Sequence, residues 1–296
     1  MADRSVSRVV ASRSAHWVGD GFLVRPIFGE IAFTRDPSPF LMLDWAAPFD
    51  VAATTEPRGV GPHPHRGFET VTLVHAGEIE HRDSAGHAGR IGPGDVQWMT
   101  AGAGVLHEET IGRAHLARGG PLSMAQLWVN LPAADKSVSP RYQAITAAEI
   151  PTVTAAGGRF RVIAGRLVAP DGTVHTGPAE TRSPLSVWDG RLAPGECFAA
   201  PVPAGWTVLV AVLAGSVEIA GRRVGAAEVA LLDRDGDGIA LVAGDEGARP
   251  LVLAGRPIDE PIAHHGPFVM NSRDELATAI DDFHAGRMGR LAPSGW

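Results

Sequence analysis

Residues 61–83, "GPHPHRGFETVTLVHAGEIEHRD", decide how the chain is read. From Phe68 the stretch is strand-like, with Val, Thr, Leu and Ile, then a turn at Ala76-Gly77, then a second strand-like run. Ahead of it, His63 and His65 stand two apart with Pro64 between them. In extended backbone, side chains at i and i+2 point to the same side, so the two imidazoles converge on one face. Proline cannot donate to a ladder, which places this stretch at a sheet edge or rim. A polar loop would explain one such pair, and the rest of the chain tests that bland reading.

Further on, "GVLHEET" (104–110) offers His107 and Glu109, again two apart, while Glu108 points the other way. Two such pairs on neighbouring strands bring three imidazoles and a carboxylate to one point. That set suits Fe, Mn, Ni, Cu or Zn rather than Mg or Ca. The carboxylate remains open on the residues alone. Glu69 shares the parity of His63 and His65 if Gly67 does not break the strand.

Strands dominate elsewhere. "GRIGPGDVQWMTAGAG" (89–104) and "MAQLWVNLP" (124–132) are short Val- and Trp-containing runs bounded by glycine or proline. The second half repeats the pattern. With Gly77 laid on Gly215, "PHPHRGFETVTLVHAGEIE" matches "APVPAGWTVLVAVLAGSVE", Gly67 falls on Gly205, His63 on Pro201 and His65 on Pro203. This reads as an internal duplication in which one copy keeps polar ligands and the other does not. Residues 136–152, with Pro140 and Pro151 and few strand signals, read as a connection between an N-terminal domain (1–135) and a C-terminal domain (153–296). One helix is signalled near the end: in "SRDELATAIDDFHAGRMG" (272–289), Ser272 and Glu275 form a capping box, Leu276, Ile280 and Phe283 share a face, and Gly286 stops it. That face is expected to pack on a β-layer.

The 296 residues carry 26 Lys and Arg against 33 Asp and Glu, a formal charge of -7, with no basic stripe. Direct nucleic-acid binding therefore has no electrostatic support. A hydrophobic fraction of 45% supports a packed core. The single cysteine, Cys197, excludes an internal disulfide and fits a reducing cytoplasm. It reads as a small packed residue rather than a nucleophile. No stretch is long and apolar enough for a membrane span, and residues 1–22 lack an apolar run of signal-peptide length.

Weaker motifs resolve to ordinary structure. "DRDGDGIALVAGDE" (233–246) has aspartates at calcium-loop spacing, but Gly244 stands where the closing glutamate belongs, so a hairpin loop is expected. His264-His265 read as a turn. Among His75, His81 and His87, one could support the metal ligands from behind. Val71, Leu73, Trp98 and Met99 are candidates to line the barrel interior.

The run "HPHRGFETVTLVHAGEIEHRDSAGHAGRIGPGDVQWMTAGAGVLHEE" (63–109), with "PFLMLDW", "QLWVNLP" and "GPFVMN", resembles the pirin family of the cupin superfamily. The resemblance implies an all-β bicupin of two β-sandwich barrels facing each other, with a short C-terminal helix and one metal, in the N-terminal barrel. It assigns His63, His65, His107 and Glu109 as ligands and iron as the usual metal, with Zn, Mn, Ni or Cu as substitutes. Glu69 then becomes a supporting or structural residue. Glu108 departs from the small residue common at that position in pirins. Four protein ligands on an octahedral metal leave two positions for substrate or dioxygen, a catalytic layout. Some pirins cleave the flavonol quercetin with dioxygen, which would make Glu109 both ligand and general base. Others regulate transcription factors through protein contacts, so a metal- or redox-sensing regulator is the alternative. The chain lacks a Lys/Arg-rich cluster that would point to the nucleus.

Overall fold

The computed structural model describes residues 2–29, 36–155 and 158–291. Their contacts divide the chain into two compact units that are discontinuous in sequence. The described residues of Ser14–Pro26, Phe40–Ala147 and Asp259–Trp296 make one, and those of Met1–Arg13, Ile27–Pro39 and Ala148–Ile258 the other. The contiguous division at 135 and 153 expected from the sequence misses this exchange of segments, because long-range pairing creates it. Strand Val6–Ala11, for example, pairs antiparallel with Glu228–Leu232.

In the first unit a seven-stranded sheet runs in the order Arg141–Ile145, Val96–Thr100, Phe68–Ala76, Gly120–Asn130, Phe40–Val51, Phe22–Phe28 and His16–Val18. A four-stranded sheet runs Gly59–His65, Val105–Ile111, Ile79–Asp83 and Ala88–Ile91. The strand Arg141–Ile145 lies inside the stretch read as a connection, and it extends the sheet beside Val96–Thr100. The second unit is built on a nine-stranded antiparallel sheet around Thr207–Ile219 and Gly238–Gly255. Its core includes Phe160 stacked on Phe198 at 3.6 Å between ring centres. Both units are thus antiparallel β-structures, as a duplicated cupin requires. Among the described residues no helix is long and apolar enough to cross a membrane.

The chain passes from the four-stranded to the seven-stranded sheet at Arg66-Gly67, between strands Gly59–His65 and Phe68–Ala76. Gly67 has φ +85°, and a Cβ there would meet the Val269 carbonyl oxygen at 2.0 Å. Only glycine fits that left-handed, crowded turn. The break it makes decides the parity question. Glu69 points to the face where Thr100 donates to it at 2.7 Å, while its strand neighbour Thr72 faces Glu109.

The capping box of helix Arg273–His284 is present, with Ser272 Oγ accepting from the Glu275 N–H at 3.2 Å. Its apolar face packs with Phe268, Met270 and Met288, and Leu106 of the four-stranded sheet joins that cluster. The helix therefore backs the strand that carries His107, rather than closing the C-terminal half. The aspartate-rich segment is a loop, not the expected hairpin: it joins Glu228–Leu232 to Gly238–Gly255, which flank Thr207–Ile219 in the sheet rather than pairing with each other. His264 and His265 lie in a short strand paired with Phe268–Met270, not a turn, and Cys197 is exposed rather than packed.

Asp44, in the strand Phe40–Val51, is 9% exposed, and burial pushes its carboxyl up to about 6 despite the nearby His16. A carboxyl held above its unfolded value binds its proton more tightly in the folded chain. Its stabilising contribution is full below about pH 4 and is lost as pH rises through 6, about 3 kcal/mol in all. Asp44→Asn is expected to remove that slope. Denaturant titrations at pH 4 and pH 7 would check it, and parallel pH dependences in parent and variant would reject it.

Candidate metal centre

Two strands bring the imidazoles together. Strand Gly59–His65 pairs with Val105–Ile111 so that His63 lies opposite His107. Ring centres stand 4.8 Å apart for His63–His65, 4.3 Å for His63–His107 and 4.8 Å for His65–His107. One nitrogen from each ring falls within a 4.8 Å group. His65 and His107 are buried and His63 is half-buried at the mouth.

Burial, then the neighbouring imidazoles, drive His65 and His107 well below the ordinary histidine value, so both are neutral. Each has a polar atom without a hydrogen-bond partner, Nδ1 of His65 and Nε2 of His107. Buried orphan nitrogens are rare because each costs about 1–3 kcal/mol. Three imidazoles turned on one point, with His65 and His107 neutral and each carrying an orphan nitrogen, fit a borderline transition-metal cation. The opposite nitrogens are engaged. His63 Nδ1 is 2.8 Å from the Gly61 carbonyl, and the Pro267 carbonyl is a partner of His65.

His107 is fixed from behind by a chain of buried polar groups. Its Nδ1 lies 3.4 Å from Nδ1 of His81, whose Nε2 lies 3.4 Å from Asp83 Oδ2. Burial alone would raise Asp83, but hydrogen bonds from His81 and His87 hold it below the usual carboxylate range. An ionised Asp83 takes the His81 Nε2–H. His81 Nδ1 then accepts from His107 Nδ1–H, which leaves the His107 Nε2 lone pair facing His63 and His65. His81 is thus the supporting histidine of the three considered. His87 is partly exposed on the far side of Asp83, and His75 packs edge-on to Trp45.

Glu109 is 5% exposed and shares a second group with His107 and His81. Thr72 donates to its Oε1 at 3.1 Å, the Gln97 amide also donates to Oε1, and the Gln126 amide donates to Oε2 at 2.8 Å. A register shift between His107 and Glu109 marks a β-bulge in this strand. It does not turn Glu108 inward, because Glu108 bonds to Arg82 on the outer face. Of the expected residues, three histidines meet at one point, and Glu109 sits beside His107 in the overlapping group.

Alternation reverses part of the expected lining. Thr72 and Gln97 face Glu109, so Val71, Leu73 and Trp98 point to the other face, and Met99 shares the inner face. Phe68 and Trp128 pack on His65, at 4.9 and 5.2 Å between ring centres. Tyr142 stacks on His81 at 4.6 Å and 14°. Burial, then Glu109 and Asp83, push its hydroxyl far above the ordinary tyrosine value, so it remains a donor, 3.4 Å from Gln97 Oε1.

Two family models match the chain: Pirin over residues 21–129, and the Pirin C-terminal cupin domain over 187–289. Human Pirin is 38% identical over 268 residues, covering 88% of this chain and 87% of that protein. The chain belongs to the pirin family. Within it, a Pseudomonas aeruginosa protein named "Putative quercetin 2,3-dioxygenase" is 50% identical, over 97% of this chain and 99% of the relative. The crystal structure titled quercetin 2,3-dioxygenase from Acinetobacter baumannii superimposes with TM-score 0.93 at 46% identity, covering 98% and 100% of the two chains.

The pirin barrel also contains supports that sequence reasoning missed: Thr72, Gln97, Gln126 and Tyr142. Their signal was available. Glutamine at 97 and 126 interrupts apolar strands, and a buried amide needs partners. Lys136 is a further one. Its ammonium donates to the carbonyls of Gly67 (2.7 Å) and Val269 (2.9 Å) and to Asn130 Oδ1 (2.7 Å). Burial pushes it down to about 7, against the pull of Glu260 and Glu275. It pins the turn two residues after His65. Lys136→Met leaves three acceptors unpaired and is expected to cost roughly 3 kcal/mol, read as a lower denaturant midpoint. An unchanged midpoint would show that the clamp is energetically neutral.

Proposed function

We propose that the chain holds one transition metal, iron in the cell, on His63, His65, His107 and Glu109, and oxygenates a flavonol or related enol in the manner of a quercetin 2,3-dioxygenase. The observation that carries this is the convergence of three imidazoles, two of them neutral with orphaned buried nitrogens, beside a buried carboxylate. The names of the Pseudomonas and Acinetobacter relatives support the substrate class. A reducing cytoplasm, consistent with a lone exposed thiol, would keep iron ferrous.

When bound, the metal supplies Lewis acidity toward the enol oxygen and a route for electrons to dioxygen. The chain's own residues do the rest. Glu109 accepts the enol proton, oriented by Thr72, Gln97 and Gln126. With one donor on Oε2, that oxygen keeps one lone pair free of the chain's own donors. Phe68 and Trp128 give the site an aromatic wall that excludes water.

The test is dioxygen uptake by anaerobically iron-loaded protein given quercetin, beside a His63→Ala/His65→Ala control. Uptake matched to flavonol loss, and absent from the control, is expected. No uptake despite stoichiometric iron would replace this reading with a metal-sensing regulator that acts through protein contacts.

A further inference from the structure

The second unit contains a cavity of about 720 Å³, within the range of small-molecule sites. Its position follows from the duplication. Gly67 and Gly205 both take left-handed φ, +85° and +79°, as do Gly77 and Gly215 at +84° and +68°, which supports the alignment of the halves. Pro201 and Pro203, the counterparts of His63 and His65, line the cavity. The register supplies the other two counterparts. His63 pairs with His107 in one unit and Pro201 pairs with Gly238 in the other, so Gly238 stands for His107. Past the register shift Glu109 pairs with Val60, whose counterpart Phe198 pairs with Leu241. None of Pro201, Pro203, Gly238 and Leu241 can bind a metal through its side chain.

From this geometry we infer that the second unit is a metal-independent binding site for a planar aromatic compound with oxygen acceptors, such as an aryl carboxylate or sulfonate. Two indoles line the cavity: Trp206 is half-buried and offers an aromatic surface, and Trp188 lies almost fully covered behind it. The polar groups are mostly donors. Trp188 is 1% exposed and its Nε1–H has no acceptor among the described residues. Ser186 Oγ accepts the Arg166 backbone N–H at 3.3 Å, which frees its own O–H to donate, and Arg166 also lines the cavity. The one carboxylate there, Asp237, has an oxygen committed to the Ala2 N–H at 2.6 Å. The lip is held in shape from below. Buried Arg4 donates to the carbonyls of Pro203 and Trp206, both at 2.6 Å. This site does not depend on the metal reading.

The test is a titration of the iron-loaded full chain with 1-anilinonaphthalene-8-sulfonate, followed by fluorescence. One saturable site per chain is expected, unaltered in His63→Ala/His65→Ala. Val168→Trp, which fills the cavity, and Trp206→Ala at its edge are each expected to weaken binding about tenfold or more. Circular dichroism checks that each variant folds, and if Val168→Trp does not, Trp206→Ala and Arg166→Ala decide. No saturable binding, binding indifferent to the cavity variants, or binding lost with the metal ligands would overturn the inference.

Discussion

Alanine at His107 is expected to abolish metal retention. His107 is fully buried, belongs to both clusters of potential ligands, and presents an Nε2 with no other partner. Its removal takes away the residue that joins His63 and His65 to Glu109 and cuts the link to His81 and Asp83. Loss of an outer partner typically costs about 10–100-fold in metal affinity, so loss of the ligand at the centre of the arrangement should exceed about 100-fold. Metal analysis after gel filtration reads this directly: about one ion per chain in the parent and none in the variant. His87→Ala, at a partly exposed position on the far side of Asp83, should keep the ion. Stoichiometric metal in His107→Ala would place the metal elsewhere in the chain.

Glu109→Gln is expected to separate holding the metal from moving the proton. The change is nearly isosteric, and the amides of Gln97 and Gln126 can rotate to pair with a neutral partner, so the barrel should stay intact. A positioned base contributes about 10²–10⁴-fold to rate, so flavonol-dependent dioxygen uptake at equal iron content should fall at least about 100-fold. Metal affinity should fall as well, because an anionic ligand becomes neutral. Full turnover at matched loading would remove Glu109 from the proton step and leave it a ligand or a structural group.

The donors were legible in the sequence because strand geometry is local. Two i, i+2 pairs need only extended backbone to converge, and His63, His65 and His107 do so. The lining was harder to read. Phe68–Ala76 is buried on both faces over most of its length, so apolar character does not reveal which face looks inward. Val71 and Leu73 were the natural choice and are on the wrong side, whereas Thr72, Gln97 and Gln126 mark the inner face by their need to bond Glu109. Gly67 was the second ambiguity. Whether it interrupts parity depends on a close approach by Val269, two hundred residues along the chain, which no local pattern carries. The same holds for the exchange of segments between units, since pairing of Val6–Ala11 with Glu228–Leu232 is invisible to periodicity. The duplication was visible in glycine spacing and loss of histidine, but the cavity that Pro201 and Pro203 line is made by residues distant in the chain and carries no local signal.

The segment exchange also bears on the order in which a nascent chain can be completed. Every proposed metal ligand has been synthesised by residue 109, and Lys136 soon after. Yet the carbonyls of Pro267 and Val269 that serve His65 and Lys136, and the helix that covers Leu106, come from the last forty residues. On the ribosome the imidazoles therefore emerge long before the groups that set their geometry. The proposed metal site takes its final form only after residues 267–284 have been made.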